Sequence, residues 1–230
     1  KNMIGDCSAD VVSSTVPCST KWMVGTVNSF YIGIIATVIA TALGTLAALG
    51  LSRPHMPYKG LIMAILISPM IVPLIITAAG MFFFYARINL VYTFTGVILA
   101  HVALATPFVV ITVTATLVGF DMNMVKAAQS LGAKPMRTFF KVIMPLILPG
   151  IISGALFAFI TSFDEVVIVM FMASIDQLTI PKQMWAGIRQ EISPVILCMA
   201  TCLVLLSIFL LTTVELLRRR SEKLRGIKAR

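Results

Sequence analysis

Apolar residues arrive along this chain in five long runs, roughly 29–51, 60–85, 91–118, 142–172 and 195–217, set apart by short polar and basic stretches. Each run is about 20 residues or longer, the length at which an α-helix crosses a hydrocarbon layer about 30 Å thick. Lipid offers backbone groups no hydrogen-bond partners, so such runs are expected as helices whose bonds close within the segment. The pattern predicts an all-α membrane protein with five visible transmembrane helices. The fourth run is long for a single crossing, and part of it is expected in or near the interface. Within the second run, Pro69 and Pro73 stand four apart in Ser-Pro-Met-Ile-Val-Pro. They remove two amide donors from one face, which predicts a kinked helix.

Composition agrees with a lipid solvent, with 59% apolar and 12% charged residues. Of the 18 lysines and arginines, the segments 52–59, 119–141 and 218–230 hold two, four and seven, which leaves five for the other side. The positive-inside rule then places these segments and the C-terminus in the cytoplasm. Basic anchors facing anionic headgroups account for the net charge of +9 without a nucleic-acid partner. The chain divides into a periplasmic segment over 1–28, a transmembrane domain over 29–217 and a basic cytoplasmic tail over 218–230. Five spans with an inner C-terminus put Lys1 outside, which predicts a sixth helix upstream, with a cleaved signal peptide as the alternative.

Other residues admit two readings each. Cys7 and Cys18 fall in the outer segment, where an oxidising periplasm permits a disulfide that spacing alone leaves open. Cys198 and Cys202 share a face of the last span and read as packing residues rather than metal ligands. His101, near the middle of the third run, is part of a proton relay or, more usually for such a residue, a tie to a neighbouring helix. Trp22 suits the headgroup boundary just before the first run.

The inner loop 119–141 is unlike the others. Asp121 suits an N-cap for a short helix through Leu131, Gly132 a left-handed residue that ends it, and Pro135 the first turn of a second helix. Ala127, Ala128 and Ala133 leave a surface low enough for another protein to approach closely. With Ala127, Ala128, Gly132, Ala133, Phe139, Val142, Pro145 and Pro149 at their spacing, the segment resembles the EAA loop of bacterial ABC importer permeases. The resemblance implies a type I ABC importer permease bundle whose cytoplasmic coupling helix sits in a groove of an ATP-binding subunit. It assigns Lys126, Ala127, Ala128, Leu131, Gly132, Ala133 and Phe139 to that docking surface. Lys126 departs from the family, which usually has glutamate there, and this puts one docking contact in doubt. It also gives a reason to expect a different chain as the second permease.

The same resemblance implies a second permease subunit, two ATP-binding subunits and a periplasmic substrate-binding protein in a bacterial inner membrane. The chain has no Gly-x-x-x-x-Gly-Lys-Ser/Thr loop. It is therefore expected to be a transport subunit rather than an enzyme and to bind no cofactor itself, with ATP and Mg on the partner ATPase.

After the loop, Thr161, Ser162, Phe163, Asp164 and Glu165 place two adjacent acids inside an apolar run. Acids there face a pore, a cavity or a partner, and the pair reads either as a cation-recognition patch or as a structural or boundary feature. Neighbouring residues on a helix diverge by about 100°, so one acid at most faces a pathway squarely. The acidic pair followed by valines, with Asn28-Ser29 and Gly96, His101 and Pro107-Phe108, is similar to the spermidine/putrescine branch of these permeases. That implies a polyamine substrate, whose ammonium groups suit carboxylates and aromatic faces. Leu74 stands where many members carry an acid, and carriers of opines or amino-acid derivatives share the pattern. An ion-coupled secondary transporter would instead use Asp164, Glu165 and His101 as a relay. An intramembrane enzyme ranks last, for want of a metal motif or an activated nucleophile.

Overall fold

The computed structural model describes residues 18–53, 56–118, 122–190 and 194–224. Every regular element among them is helical. The long helices are α1 (Cys18–Leu51), α4 (Phe94–Val118), α7 (Met144–Phe163) and α10 (Pro194–Leu224). Between α1 and α4 lie α2 (Lys59–Ile71) and α3 (Leu74–Arg87). The short helices α5 (Met122–Ser130) and α6 (Pro135–Thr138) and a π-helical turn at Phe139–Ile143 lead into α7, and α8 (Val167–Met172) and α9 (Ile180–Gln190) follow it. The proposed Cys7–Cys18 bridge and the Asp121 cap lie outside the described residues.

Small residues decide how the bundle closes. Ala36, Ala40, Gly44 and Ala48 descend α1 in four-residue steps, all buried. A Cβ on Gly44 would stand 2.6 Å from that of Val109 on α4. On α7, Gly150 lies against Thr116, and a Cβ on Gly154 would come within 2.5 Å of the Thr112 hydroxyl. In lipid, where no hydrophobic drive joins helices, such steps let backbones approach and dispersion hold them. The contacts fix direction: α1 and α4 run parallel, with Tyr31 beside Phe94 and Gly44 beside Val109, and α7 runs antiparallel to both. Helix α4 is the spine, with 67% of its apolar window buried, against 6% for α10 at the periphery.

Three boundaries differ from expectation. The second run is broken, not kinked: α2 and α3 meet at 104°. Val72, which precedes Pro73, takes an extended conformation (ψ 134°), as the proline ring disfavours the helical region for its predecessor. The fourth span covers Pro135–Phe163 instead of 142–172, because the chain leaves the helix at Asp164 and restarts as α8. The first helix starts at Cys18, eleven residues before the expected span, and takes in Trp22. Its extension is anchored, since Asn28 donates to the carbonyls of Asp176 (2.8 Å) and Leu178 (3.0 Å) and Ser29 Oγ accepts from the Ile180 amide. Helix α9, which this anchors, was not anticipated.

Candidate functional site

At the end of the bundle that carries the basic segments, α5 and α6 form the helix-turn-helix. Gly132 has φ 79°, and its left-handed conformation lets the Ala133 amide reach back to the Ala128 carbonyl at 3.0 Å. Pro135 is the first residue of α6, where its missing N–H removes no helical bond. Leu131 is 89% exposed, and Met124, Met136 and Phe140 are exposed beside Lys126, Ala127 and Gly132. Ala128 and Ala133 are half-buried. An uncovered apolar surface of this kind on a polar loop fits a protein contact better than solvent. Phe139 departs from the group: it packs edge-on against Phe140 and lines a cleft between α1 and α7, so it anchors the loop rather than presenting it.

At the opposite end the two acids part company. Glu165 is buried, and its Oε1 accepts from the Ile168 amide at 2.9 Å, so it caps α8. Asp164 is exposed. The helix break at this point turns one acid inward and leaves the other exposed. Phe163 is buried against Phe159 (5.3 Å between ring centroids, stacked) and Phe30 (5.0 Å, edge-on). Asp164 therefore stands level with Phe30. Phe30 lies 21 residues, about 32 Å of helix, before Leu51, so Asp164 stands toward the end of the bundle away from the basic segments. Thr161 is half-buried, and Ser162 is buried with its Oγ 2.8 Å from His101 Nδ1. His101 thus ties α4 to α7, the second of its two readings.

An open groove of about 520 Å³ lies between α1 and α7. Thr37, Thr41 and Thr45 contribute to its α1 side, and Phe139 and Met144 also line it. Sequence reasoning passed over these threonines, although their four-residue spacing inside an apolar run was a readable signal. Cys198 and Cys202 are exposed on α10.

A sequence profile for the "binding-protein-dependent transport system inner membrane component" family matches residues 20–223. The spermidine/putrescine transport system permease protein PotC of Haemophilus influenzae is 30% identical over 196 residues, covering 85% of this chain and 76% of that protein. The putrescine transport system permease protein PotI of Escherichia coli K12 is 29% identical over 212 residues, covering 84% and 75%. Among solved structures, the MetNI methionine ABC transporter in an inward-facing conformation superposes with a TM-score of 0.64 at 17% identity, over 94% of this chain and 100% of the matched one.

Proposed function

Because this chain belongs to the family of binding-protein-dependent transport system inner membrane components, we propose that it conducts a polyamine as one permease of an ATP-driven importer. The observation that carries the importer reading is the helix-turn-helix at the basic end, turned at Gly132 and crowned by the exposed Leu131. An apolar helical surface of this kind is built to sit in a groove of another protein. That protein is the ATPase, and its closure on ATP moves the docked loop and with it the bundle. The basic end and the C-terminus are cytoplasmic. Asp164 and the neighbouring rings receive the substrate at the far end of the bundle, after a periplasmic binding protein delivers it. The polyamine class is supported by the names of PotC and PotI and by the pairing of a free carboxylate with aromatic faces.

The test is ATPase activity of the purified complex with and without putrescine and a loaded binding protein, alongside a Gly132→Pro variant. Proline cannot take the positive φ of Gly132. The expected result is an ATPase that co-purifies and is stimulated by polyamine, with stimulation lost in the variant while the bundle stays folded. An ATPase indifferent to polyamine overturns the substrate. Transport that follows a proton gradient with no ATPase attached overturns the importer reading.

A further inference from the structure

The docking loop carries charge of one sign. Over 119–141 the sequence holds Lys126, Lys134, Arg137 and Lys141 against a single acid, Asp121, which lies outside the described residues. All four cations are exposed, and none forms an ion pair among the described residues. On α5, Asn123, Lys126, Ala127 and Ser130 follow one another at three- and four-residue spacing and are all exposed, which makes them one outward ridge. Val125 and Ala128, on the other side of the helix, are half-buried where α5 rests against α6 and the π-helical turn.

Lys126 differs from the other three in its place. Lys134 immediately precedes the span Pro135–Phe163, and Arg137 and Lys141 fall in its first two turns, where cations at the mouth of a span reach for lipid headgroups. Lys126 lies outside that span and is the one charge on the outward ridge of α5. Its neighbour Ser130 donates its hydroxyl to the Lys126 carbonyl at 3.0 Å, so that proton is committed within the helix. Beside Lys126 stand Ala127 and, at the end of the helix, the exposed Leu131. A protein that covers those two side chains also takes water from the adjoining ammonium, which brings three donors and no acceptor. A cation dried in this way needs a carboxylate, whereas a basic groove would set like charges against each other.

We propose that the partner groove receiving α5 presents an aspartate or glutamate to Lys126, beside an apolar recess for Leu131, and that Lys126 thereby selects which ATP-binding subunit this permease accepts. The inference rests on the importer reading. The glutamate usual at this position in similar permeases calls for a basic partner, and Lys126 reverses that requirement. Selection works in both directions: the ammonium binds an acid-lipped groove and repels a basic one, so a subunit matched to a glutamate is turned away. The apolar contact of Leu131 supplies adhesion without choosing between the two.

The experiment uses the complete importer in nanodiscs, with the sister permease and the ATPase. Lys126→Glu should speed dissociation of the ATPase on dilution by at least about tenfold. Lys126→Arg should hold it as the unmutated complex does, and so should Lys59→Glu, which reverses another exposed cation outside the docking loop. As a second measurement, a water-soluble carbodiimide, which joins an amine to a carboxylate in contact with it, should link Lys126 to an acid of the ATPase identified by peptide mass spectrometry. Lys126→Arg should keep the ATPase and lose that link, because a guanidinium does not form the amide. Unchanged dissociation from Lys126→Glu overturns the proposal, and so does the absence of a Lys126 link to the ATPase in the unmutated complex. If Lys126→Glu also lowers the melting temperature, the link alone decides. A Lys126→Glu complex that keeps its ATPase but has become insensitive to the anionic-lipid content of the nanodisc places Lys126 against headgroups, which overturns the proposal too. Failure of any ATPase to co-purify with the unmutated permease is a separate result and sinks the importer reading itself.

Discussion

The imidazole Nδ1 of His101 and the hydroxyl of Ser162 lie 2.8 Å apart, joining α4 to α7 two residues before the free carboxylate of Asp164. Both groups are buried, so each relies on the other. Ser162→Ala should destabilise the folded subunit by about 1–3 kcal/mol, since it strands a buried imidazole nitrogen. Adding His101→Leu should recover part of the loss. Thermal unfolding in detergent measures both, and strictly additive losses would show that the pair is not coupled.

Asp164 and Glu165 should give opposite phenotypes. Glu165→Ala removes the acceptor for the Ile168 amide and should cost about 1 kcal/mol of stability through loss of the α8 cap. Asp164→Asn should leave the melting temperature unchanged and lower polyamine uptake. Uptake assays beside melting curves separate the two, and a stability loss at Asp164 would show that it too is structural.

Leu131→Glu places a charge on the most exposed apolar side chain of the docking loop. The loss of ATPase from the purified complex, at unchanged stability of the permease, is the expected result. Retention of stoichiometric ATPase would move the docking surface elsewhere.

Glycines along the spans should divide by what faces them. Gly154→Val forces a side chain onto Thr112 and Val109 and should cost more than about 2 kcal/mol, enough to reduce the yield of folded protein. Gly80→Ala meets nothing within 4 Å and should stabilise α3 by about 0.5–1 kcal/mol through backbone entropy. Melting temperatures of the two variants check the sign of each.

Much of this architecture is legible in the sequence, and the physical reasons differ by element. The spans at Phe94–Val118 and Pro194–Thr213 follow from length and apolarity alone, the one property lipid imposes directly. The turn at Gly132 and the start at Pro135 follow from backbone constraints local to those residues. The break at Val72–Pro73 was less legible, because proline chemistry predicts a weakened helix and neighbouring packing decides how far it bends. The extension of α1 to Cys18 depends on Asn28 and Ser29 finding partners near residue 178, a contact about 150 residues away in sequence. The division of labour between Asp164 and Glu165 was half legible: divergence of neighbours was expected, but not the helix break that turns one into a cap.

The glycine contacts of α7 have a mechanical consequence. Gly150 and Gly154 seat α7 so closely on Thr116, Thr112 and Val109 that the two helices cannot slide or splay without opening voids between close-packed backbones. The docking loop is continuous with α7, so a push delivered there has no soft joint beyond the π-helical turn at Phe139–Ile143 in which to dissipate. Displacement is then transmitted as a tilt of a stiff beam. Its far tip is Asp164, about 30 Å away along the axis, where a few degrees of rotation become an ångström or more of travel.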